Sequence, residues 1–313
     1  MQSKEDKVVS VVLSTYNGER YISELLLSLL NQTVAIDEVL ICDDCSKDKT
    51  VQIIDEFVSV HNLKNWSISV NEINKGWKVN FKELLLKAHG EYVFLCDQDD
   101  IWISDKVEKM IKVMENNPKI YLLASEYNLL LEKNGVFYDK RCSIDDNSIK
   151  KVDFNVKSSF YIRRPGCVYC VKNELIKYIK EYAFPDYPHD AFLWRTAAML
   201  DGLYIYNSPT IHYRRHETNA TGHEVKTIQT KLVSMDYYLK AIQSMKKFIE
   251  DEKVINPEEK MTVVKTLNEW AKLRKDFLKN GKTNTWFKLL KYRECFWSKK
   301  TMLADLLMKK GLI

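Results

Sequence analysis

Gly90-Glu91-Tyr92-Val93-Phe94-Leu95-Cys96-Asp97-Gln98-Asp99-Asp100-Ile101-Trp102 is an apolar run that ends abruptly in three acids. Glu91 to Leu95 read as a buried strand entered from Gly90. Carboxylates crowded at a strand end repel one another unless a cation, a proton or a strong hydrogen-bond network offsets the repulsion. Hard divalent cations select oxygen ligands of this kind, and Mg²⁺ characteristically joins one or two carboxylates to a substrate's phosphates. The stretch therefore reads as a metal–diphosphate site. A solvated acidic turn that caps the next helix is the competing reading.

Upstream, the same pattern repeats. Val8-Val9-Ser10-Val11-Val12-Leu13-Ser14 is a first buried strand, closed by the turn pair Asn17-Gly18. Tyr21, Ile22, Leu25, Leu26, Leu29 and Leu30 then share one helical face. Val39-Leu40-Ile41-Cys42 is a second strand, ended by Asp43-Asp44, with Ser46 and Asp48 placed to cap a helix bearing Val51, Ile54, Phe57 and Val58. Ile68-Ser69-Val70 is a short third strand, and Asn74-Lys75-Gly76 leads into a helix with Phe81, Leu84, Leu85 and Ala88 inward. After the acids, Val107, Met110, Ile111 and Met114 mark another helix. Strands and helices alternating through short connections predict a mainly parallel α/β sheet covered on both faces. Ligands of such sheets lie outside the carboxyl ends of the strands. Ser14-Thr15-Tyr16-Asn17, Asp43-Asp44 and Asp97/Asp99 all fall on that edge.

Beyond about residue 120 the rhythm loosens. Ile120 to Ala124 form a strand, 131–160 are irregular, and Arg163-Arg164-Pro165-Gly166-Cys167 lead into a strand and a short helix. The stiff loop Phe184-Pro185-Asp186-Tyr187-Pro188 delivers His189-Asp190 to a helix running through Leu200. Ile205 and Ile211 lie on short strands, and Arg214 to Asn219 form a polar loop. Helical stretches follow near 224–250, 257–280 and 284–310.

The chain has 313 residues, 45% hydrophobic and 29% charged, the balance of an ordinary globule with room for one large domain and an appendage. No apolar run reaches the roughly 18 residues of a membrane span. Met1 to Lys7 are charged and lead straight into a strand, unlike a signal peptide, so the cytosol is the expected compartment. Seven cysteines, several in apolar runs, suit reduced buried thiols. The pairs Cys42/Cys45 and Cys167/Cys170 lack the compactness of a zinc ribbon. Charge is uneven. Residues 272–313 hold twelve lysines and arginines against three acids, a surplus of +9 in a chain of net +5, which leaves the rest at −4. Trp286-Phe287-Lys288-Leu289-Leu290-Lys291 and Phe296-Trp297-Ser298-Lys299-Lys300 mix aromatics with cations, as helices on an anionic bilayer do. A helix packed on the body with a solvated basic face is the alternative. No nucleic-acid module accompanies the segment.

In order and spacing, Val9 to Asn17, Cys42-Asp43-Asp44-Cys45-Ser46, Asn74-Lys75-Gly76, Asp97-Gln98-Asp99-Asp100, Gly166-Cys167, His189-Asp190 and Tyr213-Arg214-Arg215-His216 resemble a family 2 inverting glycosyltransferase of GT-A fold. The resemblance runs from about Val8 to about Gly222, implying a catalytic domain over 1–222 and a basic helical extension over 223–313. The D-Q-D-D-I-W form and the Y-R-x-H-x-x-N ending look most like bacterial rhamnosyltransferases of surface polysaccharide (O-antigen or capsule), with a donor such as dTDP-rhamnose and a saccharide or lipid-linked acceptor. A lipid-linked acceptor would bring the protein to the inner face of the cytoplasmic membrane.

The implied roles are physical. Ser14, Thr15, Tyr16, Asn17, Asp44, Lys75, Gly76 and Asp97 would bind the nucleotide-sugar. Tyr16 would lie against the base and Ser14 and Asp44 would meet its polar edge. Asp97, Asp99 and His216 would hold Mn²⁺ or Mg²⁺, with His212 a rival and Asp100 a helix cap. Asp190 would be the catalytic base, although the family shows Glu-Asp where this chain has His189-Asp190. His189 would then cap the helix or tune the base. Two other readings stand beside this one: an inactive nucleotide-sugar-binding or assembly protein, and an aspartyl-nucleophile phosphatase.

Overall fold

The computed structural model describes residues 9–133, 136–216 and 227–312, with the side chain of Lys133 excepted. Val8, the N-terminal charged residues, Glu217 to Asn219 and the expected boundary at Gly222 lie outside the described residues.

The expected alternation opens the chain: β1 (Val9–Thr15), α1 (Ile22–Leu30), β2 (Glu38–Asp43), α2 (Thr50–Val60), β3 (Trp66–Val70), α3 (Trp77–Leu85) and β4 (Tyr92–Asp97). The four strands pair in parallel in the order β3-β2-β1-β4. Val12 stands opposite both Leu40 and Leu95, and Ser14 opposite both Cys42 and Asp97. Val11, Val12, Leu13, Phe94 and Leu95 are wholly buried, as apolar runs in a two-sided sheet must be. The register thus brings the polar tails of β1, β2 and β4 to one edge.

The second half is mixed rather than parallel. After β5 (Ile101–Trp102) and α4 (Lys106–Asn116) come β6 (Leu122–Lys133), β7 (Val136–Lys140), β8 (Ile149–Lys151) and α5 (Val156–Phe160). Then follow β9 (Tyr169–Lys172), α6 (Asn173–Ile176), α7 (Ile179–Tyr182), α8 (His189–Met199) and β10 (Leu203–Arg215). The sheet continues β4-β9-β6-β10-β5, and β9 runs antiparallel to both its neighbours. The supposedly irregular 131–160 contains β7, β8 and α5. The first two are exposed edge strands with no alternation to reveal them. β10 is one 13-residue strand, not two short ones, because register shifts on either side of Pro209 let it continue past a residue that cannot donate to a ladder. Arg214 and Arg215 accordingly end a strand instead of lying in a loop.

C-terminal to this come α9 (Ile228–Asp251), α10 (Pro257–Asn280), α11 (Thr283–Leu289) and α12 (Lys299–Lys309). The expected continuous helix over 284–310 is interrupted by a 3₁₀ turn at Leu290–Cys295, and Ser298 caps α12 by accepting from Thr301 N at 3.2 Å. Buried Arg195 of α8 ties this extension to the body. Its Nε donates to Ser159 O at 2.6 Å, and Nη1 donates to the hydroxyls of Tyr187 and of Tyr237 on α9, each at 3.0 Å. The Trp270 ring meets Phe160 edge-on at 4.8 Å and Phe296 at 5.4 Å. α12 is anchored through buried Asp305, which accepts from Lys231 Nζ on α9 and from Arg274 Nε on α10, both at 2.7 Å.

His189 does not cap α8; Pro188 occupies that position. Instead its ring stacks on Phe81 at 4.2 Å and stands edge-on to Trp77 at 5.7 Å, which locks the start of α8 against α3. Burial pushes its pKa down to about 4, partly opposed by Asp190. The native state holds the ring neutral.

Two outcomes follow from this packing. Asp305→Asn leaves Lys231 and Arg274 buried without their counter-ion, and urea unfolding should show a loss of about 3–5 kcal/mol; an unchanged midpoint would refute the anchor. Because the unfolded chain protonates His189 near 6.5 and the folded one only near 4, its contribution is complete above pH 6.5 and is lost as pH falls toward 4. His189→Phe should flatten the stability profile across that window by on the order of 3 kcal/mol, and identical profiles would contradict it.

Candidate active site

The edge where the polar ends of β1 and β2 meet is a set of loops held by carboxylates and amides. Buried Asp44 gathers the 71–76 loop: Oδ1 accepts from Asn71 Nδ2 at 2.9 Å and Lys75 N at 2.8 Å, and Oδ2 accepts from Gly76 N at 2.8 Å. Gly76 has φ +81, a conformation suited to glycine, and starts α3. Lys75 extends outward to Glu83 at 2.9 Å. Asn80, wholly buried on α3, donates to Ser14 Oγ and to Cys42 O, each at 2.8 Å, and accepts from Asn71 at 3.1 Å. Ser14 and Asp44 therefore belong to one network beneath the edge.

Thr15 is turned inward, donating to Asp43 Oδ2 at 2.8 Å, and Asn17 at φ +47 accepts from Lys47 N at 2.9 Å. Both side chains shape the loop. Tyr16 is exposed, and its backbone is clamped by the Gln98 amide: Tyr16 N donates to Oε1 at 2.8 Å, and Nε2 donates to Tyr16 O at 3.0 Å. Gly18 makes room for this clamp, since a Cβ there would lie 2.4 Å from Gln98 Oε1.

The acids beyond β4 diverge. Asp100 points inward, and its Oδ1 accepts from Arg214 N at 3.0 Å, while Oδ2 is buried with no hydrogen-bond partner among the described residues. Burial and then Asp99 raise its pKa well above the carboxylate range. Asp97 is packed closely by protein atoms though solvent still reaches it. Desolvation, and then Asp99, push it up to about 7, and Asp190 adds to the rise. Ligand atoms of Asp97, Asp100 and Cys167 lie within 4.8 Å of one another. Asp99 Oδ2 meets His216 Nε2 at 2.9 Å, and the His216 ring rests on Tyr21 at 4.7 Å. Arg214 Nε donates to Asp99 O at 2.8 Å, and its guanidinium pairs with Glu24. His212, the rival ligand, lies 3.4 Å from Asp139 of β7 instead.

Crowded carboxylates with depressed acidity, an orphaned buried oxygen and an imidazole in contact fit a divalent cation, whose charge would reverse each of those penalties. Of the expected set Asp97, Asp99 and His216, the last two are in contact, whereas the possible ligand atoms of Asp97 group with those of Asp100 and Cys167.

Asp190 begins α8, where Oδ1 accepts from Ala191 N at 2.7 Å. Gly166 admits it, since a Cβ at that glycine would lie 3.2 Å from Asp190 Cβ and 3.2 Å from His189 Nε2. Gly166 adjoins Cys167, which touches the acid cluster. Through His189, the same helix end meets α3, which starts at the Asp44 loop. The start of α8 thus places Asp190 beside Gly166 and Cys167, next to Asp97 and Asp100.

Several contributors escaped sequence reasoning. Asn71, Asn80 and Gln98 are ordinary amides until the fold gives them partners. Lys106 is buried beneath the cluster, donating to Thr210 Oγ1 at 3.1 Å, and burial lowers its pKa to about 8. Only the adjacency of Gln98 to the acids was a usable signal.

Comparison with known proteins follows the same lines. The family model described as "Glycosyl transferase family 2" matches residues 10–136. The chain is 30% identical over 263 residues to the dTDP-rhamnosyl transferase RfbG of Shigella flexneri, covering 78% of this chain and 86% of that protein. It is 36% identical over 126 residues to the UDP-Glc:alpha-D-GlcNAc-diphosphoundecaprenol beta-1,3-glucosyltransferase WfgD of Escherichia coli, 40% of this chain and 48% of that one. The structure of S. aureus TarS 1-349 in complex with UDP-GlcNAc superposes with a TM-score of 0.61 at 18% identity, over 98% of this chain and 84% of the other. A match carried along most of this chain and of that relative, with the GT-A architecture beneath it, makes this chain a glycosyltransferase that belongs to glycosyl transferase family 2.

Proposed function

We propose that the protein transfers a sugar, with inversion, from a nucleoside-diphosphate donor to a saccharide hydroxyl, in a reaction that depends on Mn²⁺ or Mg²⁺. Residues 1–222 are assigned to catalysis and 223–313 to a helical extension that buttresses α8. The reading rests on one observation above all: Asp190 at the start of α8 packs against Gly166, whose neighbour Cys167 lies within 4.8 Å of Asp97 and Asp100, so this carboxylate stands beside the acids of the proposed diphosphate site.

Asp190 accepts the proton of the acceptor hydroxyl as that oxygen bonds to the anomeric carbon. The bond from that carbon to the diphosphate breaks at the opposite face, and the electron pair leaves with the phosphate, so one displacement inverts the centre. Asp97, Asp99 and His216 would hold the cation, which would supply charge stabilisation to the departing diphosphate. Tyr16, on its clamped loop, offers a ring face to the base. Ser14, Thr15, Asn17, Asp44, Lys75, Gly76 and Asp97 complete the donor seat. Neutral His189, packed between two aromatic rings, adds no positive charge beside Asp190 and leaves it free to act as a base.

The donor we favour is dTDP-rhamnose, after the likeness to RfbG. The acceptor is a saccharide, free or lipid-linked as in the printed name of WfgD. The product belongs to a bacterial surface polysaccharide, an O-antigen or capsule. The work is done in the cytoplasm, at the inner face of the cytoplasmic membrane when the acceptor is lipid-linked.

Asp190→Asn should lower transfer by roughly 10²–10⁴-fold while calorimetry still finds metal-dependent donor binding; retained turnover would remove Asp190 from its role. Asp99→Ala should reduce nucleoside-diphosphate affinity in Mn²⁺ to the value measured in chelator. An affinity that still responds to the metal would place the cation elsewhere.

A further inference from the structure

α11 and α12 carry an outer surface that the fold leaves uncovered. On α11, Thr285 and Leu289 face inward, and helical spacing puts Phe287 and Leu290 on the opposite side with Lys288 and Lys291 alongside. Phe287 is 59% exposed. On α12 the inward residue is Asp305, and the same spacing puts Leu303 and Leu307 opposite it, flanked by Lys299, Lys300 and Lys310. Leu303 is 49% exposed, and Trp297, between the two helices, is 68% exposed. The helices are neighbours: a Cβ at Gly281, just before α11, would lie 2.9 Å from Lys309 Cε.

The acids are arranged to match. Of the two in this stretch, Asp305 is buried and neutralised by Lys231 and Arg274, which leaves Glu294 as the exposed one. Two helices therefore present apolar side chains ringed by lysines, with an exposed indole between them; the acids of α10 that reach this segment, Asp276 and Glu269, are engaged by Thr285 and Tyr292. An apolar strip without cations would suit a protein partner; cations without the strip would suit any polyanion. The combination fits a lipid surface, with hydrocarbon taking the rings and acidic headgroups taking the ammonium groups.

We propose that α11, the turn after it and α12 form a docking face for an anionic bilayer. The inference reaches beyond the transferase chemistry and does not depend on it, because vesicle binding and donor turnover are separate measurements that can fail separately.

The test is co-sedimentation of the full chain with phosphatidylglycerol–phosphatidylcholine vesicles and with pure phosphatidylcholine vesicles. Binding is expected to the first, weakening steeply with added salt, and not to the second. The triple variant Phe287→Ser/Trp297→Ser/Leu303→Ser and the charge variant Lys288→Glu/Lys291→Glu/Lys299→Glu should each bind at least about tenfold more weakly. Thermal midpoint and hydrolysis of a soluble nucleotide-sugar should stay unchanged. Absence of binding to acidic vesicles would overturn the proposal. So would equal binding by either variant, or a dimer in solution that the triple variant dissociates. Tighter association with duplex DNA than with the vesicles would also count against it.

Discussion

Negative charge gathered at the end of β4 has to be balanced by the protein itself, and much of the second half of the chain is arranged around that demand. Asp97, Asp99 and Asp100 leave one strand within four residues. Arg214 arrives from the far end of β10 to donate its backbone N–H to Asp100 and its Nε to the Asp99 carbonyl. Lys106 lies buried below at a pKa near 8, and His216 closes on Asp99. The compensation is incomplete. Burial and mutual repulsion still raise Asp97 to about 7 and raise Asp100 as well, so the site retains an appetite for positive charge that its own cations do not satisfy.

The position of Asp190 depends on packing from three sides. Gly166 lets it approach the acids, His189 wedges its helix against α3, and Arg195 ties that helix to α9 through the Tyr237 hydroxyl and to the preceding loop through that of Tyr187. The C-terminal helices thus help to fix the position of α8, and with it Asp190. Neutrality of His189 is part of this design: burial between Phe81 and Trp77 disfavours a charged imidazole more than the neighbouring Asp190 favours it.

How far the sequence could be read tracks how local each determinant is. β1 through β4 announce themselves because apolar runs, caps and short connections all lie within a few residues of one another. Their parallel register then brings Ser14, Asp44 and Asp97 to one edge without further information. β9 was invisible as an antiparallel insertion, since Tyr-Cys-Val-Lys has no direction of its own and its placement rests on contacts with strands dozens of residues away. Pro209 made β10 look like two strands because a proline normally ends one. Asn80 and Gln98 could not be singled out, as an amide acquires a role only when tertiary structure supplies donors and acceptors on both its sides. The His189 misreading has the same root: a polar residue beside a helix start resembles a cap until two aromatic rings are found around it.

Gln98 grips both backbone groups of Tyr16 from inside the acidic loop, in space that only a residue without a side chain at position 18 can concede. The proposed perch for the base and the proposed bed for the ion are consequently fastened by one rivet. Whatever quiets the acidic turn also quiets the platform for the base, and by reciprocity an occupant of that platform steadies the acids. Ion and nucleotide should therefore be felt by each other through the chain as well as through the phosphates they share.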